Sequence, residues 1–318
     1  MSCLSIAIPV YNEEENLPQL AARLTSVIAA LDFQDYEIIF VDDGSRDRTP
    51  QILDFLHDMD PHIRVIRFSR NFGHQAALQA GMDASRGDAL VFMDADLQDP
   101  PEVIANFVAR WKEGYQVVYA IRRKRKESLL KRTCYKAFYR SLQLIANVDL
   151  PLDAGDFCLM DRCVVEALTA LPECTRFLRG LRSWIGFAQV GVEYERHARL
   201  AGEPKYTMRK LMGLALSGYI GFSAMPLRVA SALGACSSFA ALGIMLWAVA
   251  QKLAGHRAPW AWASTVSIVL FIGGMQLAVL GIIGEYLSRT YDEVRRRPLY
   301  VISRQLDRRT STAARKTA

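Results

Sequence analysis

The sequence predicts an α/β protein built on a doubly wound, mostly parallel sheet, followed by interface helices and two membrane-spanning helices. Three observations lead there. Short apolar runs alternate with helically spaced segments from Leu4 to Ala120. Each run ends in a cluster of polar residues. Two uncharged stretches, Val229 to Gln251 and Ala258 to Gly284, are each long enough at ~1.5 Å per residue to cross a hydrocarbon core of ~30 Å.

Leu4 to Val10 reads as a buried strand broken at Pro9, followed by Tyr11-Asn12-Glu13 and a helix from Glu14 to Leu31. Tyr36 to Val41 is a second strand, ending in Asp42-Asp43-Gly44-Ser45, and Thr49 to Met59 is helical again. Ile63 to Phe68 leads through Ser69-Arg70-Asn71 into a helix from Gly73 to Ala84. Ala89 to Met93 is a fourth strand and Val117 to Ala120 a fifth. The polar clusters therefore share the carboxyl edge of one sheet, where open α/β sheets bind ligands. GxGxxG and GxxxxGK[ST] motifs are both absent, which argues against a dinucleotide enzyme or a P-loop NTPase.

The fourth strand delivers Asp94, Asp96, Gln98 and Asp99 before a Pro100-Pro101 stop. Asp94 and Asp96 stand two residues apart at the strand's tip, and one is expected on a metal and the other on a ligand. Hard oxygen ligands favour Mg²⁺ or Mn²⁺, held by one or two carboxylates and the substrate's own phosphates. An acidic turn capping the next helix is the alternative.

Beyond the fifth strand comes Arg122-Arg123-Lys124-Arg125-Lys126, and from Leu129 to Ile145 an apolar stripe and a basic stripe share one helix. That pattern suits either a membrane-surface helix or a core helix with a solvated face. Asp153 to Phe157 reads as a tight acidic turn, and Arg196 to Tyr206 as a basic loop that closes over a phosphate or links domains. Basic residues flank the two spans on their outer ends, so the positive-inside rule puts the N-terminal domain and the tail in the cytoplasm. Glu285, at the membrane edge, is expected to pair with a nearby arginine. The tail after Arg304 reads as disordered.

The predicted organisation is a catalytic domain over 1–204, an interfacial linker over 205–226, a two-helix hairpin over 227–288 and a basic tail over 289–318. The net charge of +6 is unevenly spread, acids early and bases late, which suggests a face for phosphates or anionic lipid rather than nucleic acid. Six scattered cysteines without a CxxC pair read as free thiols in a reducing compartment. The opening apolar stretch lacks the basic n-region and cleavage site of a signal peptide.

IPVYNEEENL, VDDGS, SRNFGHQAAL, MDADLQDPPE, AGDF and GEPKY, in that order and followed by two spans, give a sequence that resembles the family 2 glycosyltransferases loading a sugar onto polyprenyl phosphate. It looks most like the bacterial bactoprenol glucosyltransferases. The resemblance implies a GT-A fold, a UDP-sugar or GDP-sugar donor, Mg²⁺ or Mn²⁺, inversion at the anomeric carbon, undecaprenyl phosphate as acceptor, and a tetramer in the bacterial inner membrane. Carried over by position, Pro9, Tyr11, Glu13 and Asp43 line the nucleoside pocket and Asp94 lies near the ribose and base. Asp96 binds the metal and Gln98 completes its shell. Arg122 and Arg132 hold the acceptor phosphate, Asp156 is the base or positioning carboxylate, and Arg199 with Lys205 covers the diphosphate. Cys158 stands where relatives often carry a basic residue, and Pro204 where a small polar one is usual. The expected reaction is transfer of glucose from UDP-glucose to undecaprenyl phosphate. Other donors (aminoarabinose, mannose, N-acetyl sugars) and a silent nucleotide-binding membrane scaffold are the alternatives.

Overall fold

The computed structural model describes residues 3–122, 154–173, 177–195, 225–254 and 261–308. Strands β1 (Cys3–Val10), β2 (Asp35–Asp42) and β3 (Ile63–Phe68) pair in parallel, and β4 (Ala89–Phe92) pairs in parallel on the other side of β1. Their apolar runs are nearly continuous because helices cover both faces. Helices α1 (Leu17–Ala29), α2 (Thr49–Met59) and α4 (Val103–Lys112) bury Leu20, Leu24, Leu53, Ile104 and Phe107 in one core with Ile6, Ile8, Ile38 and Phe40. Each of those larger side chains is worth about 1.5–3 kcal/mol on burial. On the opposite face α3 (His74–Ala84) packs Ala76, Ala77 and Ala80 against Ile39, Val41, Ile66 and Phe68. Small residues let this helix approach closely: a Cβ on Gly81 would lie 2.7 Å from the Ala7 Cβ.

The sheet has eight strands, in the order β7-β5-β6-β4-β1-β2-β3-β8. β5 (Val117–Arg122) pairs in parallel with β7 (Gln189–Tyr194), while β6 (Ala154–Asp161) lies between β5 and β4 and runs antiparallel to both. The expectation of a tight turn at Asp153 to Phe157 is therefore corrected from residue 154 onward. Phe157, Cys158, Leu159 and Met160 are all buried, as a central strand requires, and the acidic residues flanking them had suggested a loop. α5 (Arg162–Thr169) follows directly, its first turn capped by the Asp161 carboxylate accepting from the Cys163 N–H at 3.0 Å. α6 (Leu178–Trp184) precedes β7.

Two further helices, α7 (Met225–Leu253) and α8 (Ala261–Arg295), form a separate unit. Phe239, Phe271 and Leu277 are 75%, 66% and 71% exposed, an arrangement that water would penalise and lipid would not. Glu285 pairs with Arg289 at 3.2 Å, one turn on, as expected for a carboxylate at a helix's polar end.

The tail beyond Arg304 is not disordered through residue 308. β8 (Ile302–Leu306) pairs antiparallel with β3 and closes that edge of the sheet. Tyr300 stacks on Phe68 and donates to Asp83, and the buried Asp307 lies 3.1 Å from Arg64 Nε and 2.8 Å from Arg86 Nη2. Composition suggested disorder because the ion-pair partners lie far back in the chain. Removing one member of a buried pair costs about 3–5 kcal/mol, a loss that undocking of the strap would limit. Asp307→Ala is expected to strip exchange protection from the amides of 302–306 while β1 and β2 keep theirs, as read by hydrogen-exchange mass spectrometry. Unchanged protection over β8 would mean that backbone pairing holds the strap alone.

Candidate active site

The order of strands reverses at β1, which sends β2 to one side and β4 to the other, and the crevice beyond their carboxyl ends is the natural ligand site. Because β6 runs antiparallel, its first residues reach that same edge. Phe92 pairs with Cys158 at the end of the β4–β6 ladder, and just beyond it Asp94 and Asp156 come near each other. His74, the first residue of α3, joins them, with Nε2 3.4 Å from Asp156 Oδ2 and 3.8 Å from Asp94 Oδ1. Arg179 of α6 grips Asp156 with two parallel bonds, Nε to Oδ1 and Nη2 to Oδ2, each 2.7 Å. Burial alone would raise the Asp156 pKa, but the Arg179 bonds and charge, with His74, hold it well below the usual carboxylate range. The His74 imidazole is raised: burial opposes its charge, and the bond to Asp156 with the charge of Asp94 outweighs burial.

Backbone bonds stitch the loops around this centre. Asn12, at φ 54°, donates its N–H to Ser45 Oγ at 3.0 Å, and Glu13 N donates to Thr49 Oγ1 at 2.9 Å. Gly44 sits at φ 70°, where a Cβ would lie 2.6 Å from the Arg70 carbonyl carbon, so only glycine allows the β2 and β3 loops to meet. Asp43 then accepts from the Phe72 N–H at 2.6 Å and the Gly73 N–H at 3.0 Å, fixing the start of α3. Its pKa is raised, with burial outweighing those two bonds.

The Asp94–Asp99 segment is a turn. β4 ends at Phe92, Leu97 adopts φ 54°, and the Gln98 N–H donates to Asp96 Oδ1 at 3.1 Å. Neither Asp94 nor Asp96 lies in regular strand, so the turn and not the strand sets the directions of their side chains. Asp99 is buried and bonded to the Tyr194 hydroxyl at the end of β7. Burial pushes Asp94 up to about 6 despite the nearby His74, and Asp156, Asp99 and Asp96 add to the rise. Among the described residues no three His, Cys, Asp or Glu side chains could cage a metal unaided. Gln98 Oε1, however, is buried without a hydrogen-bond partner beside these crowded carboxylates. This hard-oxygen set fits a divalent cation that completes its shell with water and substrate phosphates.

A family model described as glycosyl transferase family 2 matches residues 5–169, and one described as the GtrB C-terminal hairpin matches residues 225–290. YkcC of Bacillus subtilis, described as an uncharacterized glycosyltransferase, is 46% identical over 301 residues, covering 94% of this chain and 93% of its own. The bactoprenol glucosyl transferase of Shigella phage SfII is 38% identical over 302 residues, covering 95% of this chain and 97% of its own. The chain belongs to glycosyl transferase family 2. Glucosyl-3-phosphoglycerate synthase from Mycobacterium tuberculosis, solved with Mn²⁺, UDP-glucose and phosphoglyceric acid, superposes on this transferase with TM-score 0.49 and 21% identity. That superposition covers 69% of this chain and 79% of the other.

In the transferase, Pro9, Tyr11 and Glu13 lie at or just past the end of β1, next to the Asp42–Asp43 end of β2 and the Asp94–Asp96 turn after β4. Glu13 is tied to Asn16 Nδ2 at 2.7 Å. Asp43, read as a nucleoside contact, has both oxygens engaged by backbone amides. Arg122 closes β5, while its side chain, Arg132, Arg199, Lys205, Pro204 and the helix read over Leu129 to Ile145 lie outside the described residues. Cys158 is buried with the Arg182 guanidinium beside it. Two site residues escaped the sequence reading. His74 follows a polar cluster at a strand end and was within its reach, whereas nothing local distinguishes Arg179 from the arginines around it.

Proposed function

We propose that this transferase moves glucose from UDP-glucose to undecaprenyl phosphate at the cytoplasmic face of the bacterial inner membrane, with inversion and with Mg²⁺ or Mn²⁺ required. The observation that carries the reading is the convergence of Asp94, Asp96 and the orphaned Gln98 Oε1 on one side of the crevice with the Arg179-gripped Asp156 on the other. A nucleotide end and an acceptor end thus share one sheet edge. The polyprenyl acceptor is supported by the name of the phage relative and by two helices long and apolar enough to cross a membrane. Excess positive charge outside the hairpin supports a cytoplasmic catalytic domain over 1–204 and a cytoplasmic tail. A homotetramer is part of the proposal on family likeness.

Asp96 and Gln98 would hold the cation, which when bound neutralises charge on the departing diphosphate, an effect worth several kcal/mol. Pro9, Tyr11, Glu13, Asp43 and Asp94 form the nucleoside side, with Arg199 and Lys205 over the diphosphate. Arg122 and Arg132 receive the acceptor phosphate. A phosphate monoester has a second pKa near ~6 and is anionic at neutral pH, so its oxygen attacks the anomeric carbon without first losing a proton to the enzyme. Asp156, held ionised by Arg179, orients the acceptor side and is a poor base.

A pKa depressed in the folded state means that the stability Asp156 contributes is complete above the ordinary carboxylate value. It is lost only as pH falls toward the folded one. Asp156→Asn is therefore expected to keep measurable transfer across neutral pH, with no change in profile shape. Complete loss with normal UDP binding would make Asp156 the base after all. The direct test is label transfer from UDP-glucose to undecaprenyl phosphate by the detergent-purified protein, with Mn²⁺ or EDTA, scored as organic-extractable product. Metal-dependent product supports the reading. Product from another nucleotide sugar would correct the donor, and metal-dependent UDP binding without transfer from any of them would favour a silent scaffold.

A further inference from the structure

We propose that His74 is a positioning residue that sets the spacing between the nucleotide-side carboxylate, Asp94, and the acceptor-side carboxylate, Asp156. Its Nε2 lies between them, 3.8 Å from Asp94 Oδ1 and 3.4 Å from Asp156 Oδ2. The inference rests on the assignment of those two carboxylates to the two ends of the reaction.

The geometry gives His74 that role because its backbone is anchored independently of either carboxylate. Asp43 holds the amides of Phe72 and Gly73, the two residues before it. Gln75 Oε1, the next residue along, accepts from the Leu178 N–H at 3.2 Å, which ties the start of α3 to the start of α6. Arg179 follows Leu178 and grips Asp156. His74 and Arg179 thus reach Asp156 from two helices that are bonded to each other, and His74 extends the contact to Asp94. Further along α3, Gly81 seats the helix on β1 through contact with Ala7, so the imidazole cannot drift with its helix.

Two neighbouring carboxylates repel, and without a cation or donor between them they splay. His74 Nε2 lies within ion-pair distance of both, 3.8 Å from Asp94 Oδ1 and 3.4 Å from Asp156 Oδ2, while Arg179 fixes the plane of one. Transfer needs the acceptor oxygen near the anomeric carbon at about 3–3.5 Å, and a displacement of ~1 Å at that stage costs about 10²-fold. His74 therefore acts on turnover through the separation of Asp94 and Asp156 and makes no bond to the reacting atoms.

The test uses the full chain in detergent. His74→Ala is expected to lower turnover about 10–100-fold and to leave the KM for the nucleotide sugar within about twofold. His74→Gln, which keeps one N–H donor, should recover part of the loss. In combination with Asp156→Asn, His74→Ala should add little to the slower single variant, since both break one network. Independent, multiplicative losses would overturn the proposal, as would a defect confined to KM. A second readout needs no substrate. The chain has five histidines, so the ¹⁵N-imidazole signal of His74 is assigned by its loss in His74→Gln and is expected to move in Asp156→Asn. If it stays in place the proposal is wrong, whatever the reaction. If wild-type protein transfers no sugar while that signal does move, the proposed reaction fails and the bridge stands.

Discussion

Asp96→Ala is expected to abolish metal-dependent UDP binding and to lower transfer by at least about a thousandfold. The figure follows from the cation's role: ~4 kcal/mol of charge stabilisation at the leaving diphosphate corresponds to about three factors of ten in rate. Asp96 also accepts the Gln98 N–H at 3.1 Å, so alanine loosens the turn as well as removing the charge. Asp96→Asn separates the two effects, because its amide oxygen can still accept that bond. Calorimetric titration of UDP with Mn²⁺ or EDTA should find the asparagine variant nearly as impaired as alanine. An asparagine variant that bound UDP and Mn²⁺ like wild type would mean that Asp96 is a turn residue and that the cation, if any, sits elsewhere.

The second large effect is on stability. Asp43→Ala is expected to cost about 2–4 kcal/mol, because two charge-assisted bonds to part-buried backbone amides are lost, offset in part by relief of burying a carboxylate. For a domain of this size that lowers Tm by about 5–15 °C, measurable by intrinsic fluorescence. The sign of the pH dependence is also set. The folded pKa of Asp43 lies above its unfolded value, so wild type loses a little stability as pH rises through that interval. Asp43→Ala lacks this slope, and the gap between the two proteins should be widest on the acid side. Asp43→Asn restores one acceptor and should fall between them. A variant with unchanged Tm but weakened UDP binding would return Asp43 to a pure ligand role.

Local pattern carried the first half of the sheet and little of the second. β1 to β5 were legible because each is an apolar run between helically spaced segments, and their polar ends marked the site's edge. β6 was hidden because Asp153, Asp156 and Asp161 frame its buried residues, so its acids read as a loop although one of them lies in the candidate site. β8 was hidden for a different reason. Ile302–Leu306 has no apolar face worth burying, and it is ordered by β3 and by Arg64 and Arg86, more than two hundred residues away in sequence. Of the site, the carboxylates were legible as residue types at strand ends. Their engagement was not: that Asp43 holds the amides just before α3, or that Arg179 rather than its neighbour Arg182 grips Asp156, depends on how helices from separate segments meet.

The strap formed by β8 imposes an order in time. β3 finishes at Phe68 and its outer partner begins at Ile302, so roughly 230 residues must be synthesised in between, which takes about 10–50 s at the usual rates of elongation. Throughout that interval the nascent sheet presents an unpaired strand edge, the kind of surface that recruits other chains. Both apolar helices emerge from the ribosome before that edge is covered. Ribosomes stalled before residue 302 would therefore carry a domain that is still open on one side.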